Sequence, residues 1–535
     1  MKKTKRLILT ALACTVLFIL NACSNNEKAS TDTTDKREIT YAASKDINDM
    51  NPHLYPGAMS AQGMVYESLV ENTEKGIKPL LAESWEVSED GKTYTFKIRK
   101  DVKFHDGEPF NAEAVKKNID AVQQNAEIHS WIKLSTKIVS CNVLDKYTVE
   151  LVLSDPYYPT LVELSMTRPY VFISPHDFKN GGTKNGVTGY HGTGPYVLKD
   201  HKVDKYATFE ANKSYWGGKP DIKKITAKVL PEGDTTFLAL KKGEVNFLFT
   251  DDRGADSIDV EAMQQLVSSG DYQLVRSKQM NTKMIVANSS KSESPVSETA
   301  VREAIWYAID RKTISKTIFE GTETPANTLF SKNVNYADVS LKKRGYDIKK
   351  AKEILDEAGW KVDGENGVRT KKNRPLAMTL YYDSNSASQK MQAEFIQNSL
   401  KEVGIELNLT GEESTSIANR RATGEYDLLF NQTWGLAYDP QSTIAAFNSD
   451  SSYLHTTKGI KEADELYKKI QQVTVSTTEE ERQNLYADIL TIVHDEAVFI
   501  PITNGNVTVV APKSLKKISF KQTQYELPFE QMKFD

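Results

Sequence analysis

The chain has 535 residues, 39% of them hydrophobic, which supplies a large core and is too long for a single small domain. Its formal charge of -4 becomes about -8 without the four leading basic residues Lys2, Lys3, Lys5 and Arg6; this excludes a nucleic-acid surface and a polybasic grip on anionic lipid. Of three cysteines, Cys14 and Cys23 fall near the start, leaving Cys141. That excludes an internal disulfide and a cysteine-rich metal site, and Cys141 reads as a small buried hydrophobe.

The apolar run Leu7–Leu20 follows the basic start and is too short to cross a bilayer core, which takes roughly 20 residues. Leu20-Asn21-Ala22-Cys23 ends it and resembles the lipobox of bacterial lipoproteins, whose mature chain begins at a diacylated cysteine. The resemblance implies a signal peptide over 1–22 and a lipid on Cys23, hence an extracytoplasmic protein anchored to the cell membrane. Residues 23–36 are polar or small and read as a flexible tether.

Beyond the tether, short alternating strands are interspersed with amphipathic helices. Tyr94, Phe96 and Ile98 alternate with polar neighbours, as do Val149, Leu151 and Leu153, so both stretches predict half-buried strands. Asn111 is placed to cap a helix whose apolar face is Val115, Ile119 and Val122. Ser297 stands likewise before Val301, Ile305 and Ala308, and Asp347 before Ala351, Ile354 and Ala358, with Gly359 as the stop. Ser388 to Val403 has helical spacing, Gly404 ends it, and Ile405, Leu407 and Leu409 continue as a strand. Asp90-Gly91, Asp106-Gly107 and Gly181-Gly182 predict turns. The mixture predicts an α/β architecture.

Strand-like stretches beside flexible residues near Ser277–Ala287 and Ile502–Val510 are the expected inter-domain crossings. They divide the body into one lobe of 37–276 plus 506–535 and a second of 277–505. Two crossings make a hinge, which suits a protein that closes on a ligand.

No catalytic constellation stands out: there is no G-x-S-x-G elbow, Walker loop, H-E-x-x-H or paired-cysteine motif. The eight histidines are scattered, with no pair at the i, i+4 spacing that aims two rings at one metal. His191-Gly192-Thr193-Gly194-Pro195 reads as a tight turn before a strand Tyr196–Leu198, and His494-Asp495-Glu496 as a solvated helix terminus. An enzyme is not expected.

The residues that suggest a ligand are aromatic and cationic. Trp131 lies past the Val115–Val122 helix, after a polar break. Arg168 sits just before the apolar run Val171-Phe172-Ile173. Its fork of donors fits a carboxylate bidentately, either on a ligand or on an internal Asp or Glu. Trp434 and Tyr438 lie in the turn-rich stretch Asn431–Pro440, so their rings are expected to face a cleft, with core packing as the alternative.

Several motifs in order then carry a resemblance. Lys78-Pro79-Leu80-Leu81-Ala82-Glu83-Ser84-Trp85, Glu89-Asp90-Gly91-Lys92-Thr93-Tyr94-Thr95-Phe96, Val102-Lys103-Phe104-His105-Asp106-Gly107, Gly192-Thr193-Gly194-Pro195-Tyr196 and Tyr215-Trp216-Gly217 resemble the oligopeptide and nickel solute-binding proteins of ABC importers. Asp49–His53, Arg168-Pro169-Tyr170, the Thr433–Pro440 loop and the ending Glu526–Met532 are similar to its nickel and metallophore-binding branch. The resemblance implies a two-lobed periplasmic-binding-protein-like fold. The cargo would be nickel, cobalt or zinc held by an opine metallophore such as staphylopine. The partners would be a permease and an ATPase, and the protein itself would be a monomer without an intrinsic cofactor. In that branch Arg168 and Arg421 would grip carboxylates, Trp131 and Trp434 would wall the chelate, Tyr55 and Tyr438 would line the cleft, and Ser451 stands where relatives carry an asparagine. His455 lies near a direct histidine ligand of nickel-binding relatives. The alternative cargoes are a nickel-histidine complex and an oligopeptide. An opine chelator surrounds the ion with its own donors, so the protein needs arginines and flat apolar walls more than a histidine cluster.

Overall fold

The computed structural model describes residues 37–129, 131–231, 233–250, 260–362, 367–438, 440–448 and 453–535. The leader, Cys23 and the tether lie outside them, as does Ser451.

The first part of the chain builds two four-stranded sheets. In one, Glu38–Ala43 runs parallel to Lys224–Val229, and Tyr206–Ala211 and Tyr196–Lys202 follow antiparallel. The other orders Ala82–Val87, Thr93–Ile98, Thr148–Leu153 and Ile138–Asp145, all antiparallel. Tyr94, Phe96 and Ile98 are buried while their neighbours are not, because the period of two puts them on the covered face. The helix Ala112–Gln124 packs on that sheet, and the Asn111 side chain accepts from the Ala114 N–H at 3.0 Å. Cys141 is buried here and its thiol is pushed up to about 12 by burial.

The second part is organised on a seven-stranded mixed sheet. Tyr272–Ala287 and Phe499–Pro512 pair antiparallel along nearly their whole length, from Tyr272 opposite Pro512 to Val286 opposite Phe499. At one end Leu248–Phe249 joins through Val510 and Val509; at the other, Leu428–Gln432 pairs with Lys283–Ala287. One ribbon therefore belongs to both halves of the unit formed by Glu38–Asp535. Its register slips between Arg276 and Gln279, between Gln279 and Asn281, and between Lys283 and Met284.

The helix Ile348–Glu357 starts at Asp347, whose side chain accepts from the Lys350 N–H, and Gly359 follows at φ +86°. The helix Ala387–Glu402 is capped by Ser386, and Gly404 at φ +82° turns the chain into the strand Glu406–Glu412. Two local expectations are corrected. Ser297 does not cap the helix Thr299–Ala308: it ends a 3-10 turn opened by Pro295, and its hydroxyl donates to the Ser294 carbonyl at 2.8 Å. His494 is not solvated but buried, with Nε2 2.8 Å from the Lys342 carbonyl and its ring edge-on to Trp306, and burial lowers its pKa.

Two of the motifs have a structural purpose. Glu67 is buried and accepts from Thr193 Oγ1 at 2.8 Å, Tyr215 Oη at 2.7 Å and Trp216 Nε1 at 2.9 Å, so one carboxylate joins both glycine motifs. Gly192 and Gly194 are required by close approach: a Cβ would fall 2.0 Å from the Val65 carbonyl oxygen and 2.7 Å from that of Met64. The strand after this turn runs on to Lys202, beyond the expected Leu198. Burial is the largest influence on Glu67 and pushes its pKa up to about 7, so the folded chain holds this proton more tightly than the unfolded chain, where the ordinary value is 4.5. Its contribution to stability is complete below about pH 4.5 and lost as pH rises through about 7. Urea unfolding of Glu67→Gln between pH 5 and 8 is expected to show a shallower decline than the parent chain; parallel slopes would refute this assignment.

Candidate functional site

Arg168 follows the short helix Thr160–Leu164 and is only 3% exposed. Its Nη1 donates to the backbone carbonyls of Tyr55 and Gly57, and its guanidinium carbon lies 4.4 Å from the centre of the Tyr55 ring. Tyr55 is 52% exposed, so the ring covers the cation from the solvent side. His129 faces the same cation, and burial lowers its pKa to about 4; its Nε2 lies 3.0 Å from the His53 carbonyl. Both it and His53, lowered to about 3, are neutral at pH 7, so Arg168 is the fixed positive charge of this cluster.

Trp131, on the turn beyond the helix Ala112–Gln124, and Trp434, on the loop after the strand Leu428–Gln432, stack on each other with centroids 5.5 Å apart and planes 18° from parallel. The loop is held by the Ala437 N–H to the Gln522 carbonyl at 3.1 Å and by Asn72 Nδ2 to the Ala437 carbonyl at 3.0 Å. The expectation of cleft-facing rings is corrected for Tyr438: it is 5% exposed, belongs to an interior cluster and lies 6.3 Å from Tyr525, because the tight Gly435 turn folds it back inward.

Arg421 occupies the helix Ser414–Thr423 and is alone among the expected residues in lining a cavity of about 940 Å³. Its neighbour Arg420 is engaged instead by both oxygens of Glu412 at 2.7 Å, over the Tyr381 ring. Lys45, Thr250, Asn281, Gln389, Asn431 and Gln524 are among the residues that line it, and Asn281 Nδ2 donates to Gln524 Oε1 at 2.5 Å. With Lys45, Lys283 and Arg421 against Asp383, the charged lining is net positive, although Lys283 also pairs with Glu323 at 2.7 Å. Asn431 and Gln432 on its wall lead directly into the Trp434 loop. Lys45, Gln389 and Gln524 gave no sequence signal, since isolated polar loop residues have no period.

His455 lies on the short helix Leu454–Thr457, with Nδ1 3.4 Å from Ser290 Oγ and its ring packed against Gly424. It does not line the cavity. Among the described residues, no three His, Cys, Asp or Glu side chains are grouped to hold a metal ion.

Residues 76–454 match the family model for bacterial extracellular solute-binding proteins, family 5. The chain belongs to this family of solute-binding proteins, which are not enzymes. It is similar to the nickel-binding periplasmic protein of Escherichia coli K12, with 38% identity across 100% of this chain and 99% of the relative. It is also similar to NikA from Brucella suis, solved in complex with Fe(III)-EDTA, with 40% identity, a TM-score of 0.89 and coverage of 93% of this chain and 100% of the other. The glutathione-binding protein GsiB of Escherichia coli O1:K1 is 30% identical over 70% of this chain and 69% of its own length. The architecture is thus the two-lobed fold of family 5 binding proteins.

Because Arg168 holds two backbone carbonyls in a buried setting, Arg168→Ala is expected to cost roughly 1–3 kcal/mol of unfolding free energy, besides any effect on ligands. Urea titration measures this, and an unshifted midpoint would mean that the guanidinium does not brace the Tyr55–Gly57 segment.

Proposed function

We propose that this chain is the capture component of an ABC importer for a divalent metal already enclosed in an anionic organic chelator, with nickel, cobalt or zinc bound to an opine metallophore such as staphylopine as the cargo. One observation carries the reading: guanidinium and stacked indole surfaces are present, while the described residues contain no grouping of three or more metal-ligating side chains. A caged cation presents carboxylates and flat apolar surface, which arginine forks and tryptophan faces suit. The names of the Escherichia coli nickel-binding relative and of the Brucella protein, whose complex holds a ferric ion within a polycarboxylate, support it.

In this reading Arg168 and Arg421 meet the chelator's carboxylates, Trp131 and Trp434 flank it, and Tyr55 completes the wall, with Ser451 as a further proposed contact. The lobes 37–276 plus 506–535 and 277–505 close on it by bending where the long ribbon slips register, between Arg276 and Met284. A lipid on Cys23 keeps the monomer at the outer membrane face, close to its permease and ATPase. A peptide cargo is the second reading, favoured by the wide amide-lined cavity and by the glutathione-binding relative.

Native mass spectrometry with nickel chloride, nickel plus L-histidine, nickel plus staphylopine, and glutathione separates these readings. Retention only of nickel with staphylopine is expected. Stoichiometric capture of nickel chloride alone would sink the proposal, nickel with histidine would redirect it to His455, and glutathione alone to the peptide reading.

A further inference from the structure

Glu163 belongs to no motif, yet it lies between the two segments that carry Trp131 and Arg168. It is 5% exposed, on the helix Thr160–Leu164. Its Oε2 accepts from the Leu134 N–H at 2.8 Å, its Oε1 from the Tyr157 hydroxyl, and the Lys133 N–H also bonds to it. Leu134 opens the short helix Leu134–Lys137, three residues past Trp131, and the intervening turn closes through the Ile132 N–H to the His129 carbonyl at 2.9 Å. On the other side, the Met166 N–H bonds to the carbonyl of Glu163 at 3.2 Å and leads the chain towards Arg168. Tyr170, two residues beyond that arginine, faces the same carboxyl group, and its buried hydroxyl has no hydrogen-bond partner.

We infer that Glu163 is a positioning residue for ligand capture, its buried carboxyl group fixing the Trp131 turn in register with the Arg168 segment. The inference rests on the proposed roles of Trp131 and Arg168. The Leu134 and Lys133 N–H groups donate to the carboxyl, and the Tyr157 hydroxyl, which can donate or accept, pairs with either the neutral or the ionised group. Burial opposes that charge and pushes the group up to about 7. The facing groups are Tyr157, Tyr170 and the Lys133 ammonium; burial holds both phenols protonated across this range, while the ammonium favours the carboxylate. His129, beside Arg168, is lowered to about 4 and stays neutral. Because burial favours the neutral group, charging it works against the closed arrangement, so the Trp131 turn is braced below about pH 7 and loosened above it.

Glu163→Gln keeps the volume and leaves one acceptor oxygen. In the full chain, its affinity for nickel-staphylopine at pH 6 is expected to fall about tenfold, the effect of losing one buried hydrogen bond. The parent chain should lose affinity as pH rises from 6 to 8, and the variant should not. A second readout is independent of the ligand: the emission of Trp131, obtained by subtracting the Trp131→Phe spectrum, should titrate near pH 7 in the parent and not in Glu163→Gln. Tyr157→Phe removes one donor, should raise that midpoint, and serves if Glu163→Gln does not fold. Emission that ignores pH and both variants overturns the inference. Emission that titrates while Trp131→Phe leaves nickel-staphylopine affinity intact supports the carboxyl tie and overturns the chelate site.

Discussion

The antiparallel pairing of Tyr272–Ala287 with Phe499–Pro512 is the constraint on which the remaining arrangement depends. These strands lie far apart in sequence, so their ladder forms only after a long loop is closed, and it then fixes both halves at once. Leu248–Phe249 extends the sheet at one end of the ribbon and Leu428–Gln432 at the other. Two of the register slips, between Arg276 and Asn281, fall between these attachments, and the third, between Lys283 and Met284, lies within the second. The ladder is therefore less regular in its middle than at its ends.

Charge inside the protein is handled with the same economy. Glu67 and Glu163 are buried and accept from backbone N–H groups or neutral side chains, and the buried Arg168 gives Nη1 to two backbone carbonyls. A buried ionisable group without such partners would shift its protonation state or destabilise the fold. Placed this way, each one fixes the position of segments distant in sequence. Glu67 gathers the two glycine motifs, Arg168 braces the Tyr55–Gly57 segment, and Glu163 meets the turn beyond Trp131.

The candidate site has two characters. Around Arg168 and the stacked tryptophans it is compact, aromatic and singly charged; around Arg421 it is wide, amide-rich and net positive. A metal enclosed in a carboxylate-bearing chelator has both kinds of surface. The covered face of the complex suits indole, and its outer oxygens suit guanidinium and amide donors.

Much of the local structure was legible in the sequence. Alternation at Tyr94, Phe96 and Ile98, the caps Asn111 and Asp347, and the stops Gly359 and Gly404 report backbone geometry that a few neighbouring residues decide. The candidate ligand residues came instead from resemblance, since an arginine or tryptophan in a loop has no period to betray it. What folding alone decided was contact between distant segments: the stacking of Trp131 on Trp434, the burial of Tyr438 and His494, the diversion of Arg420 to Glu412, and the place of Glu163 beneath the Trp131 turn. Propensity and pattern act over one or two helical turns, whereas these contacts join residues brought together only when the sheets close, so their partners are set by packing and by the need to satisfy buried polar groups.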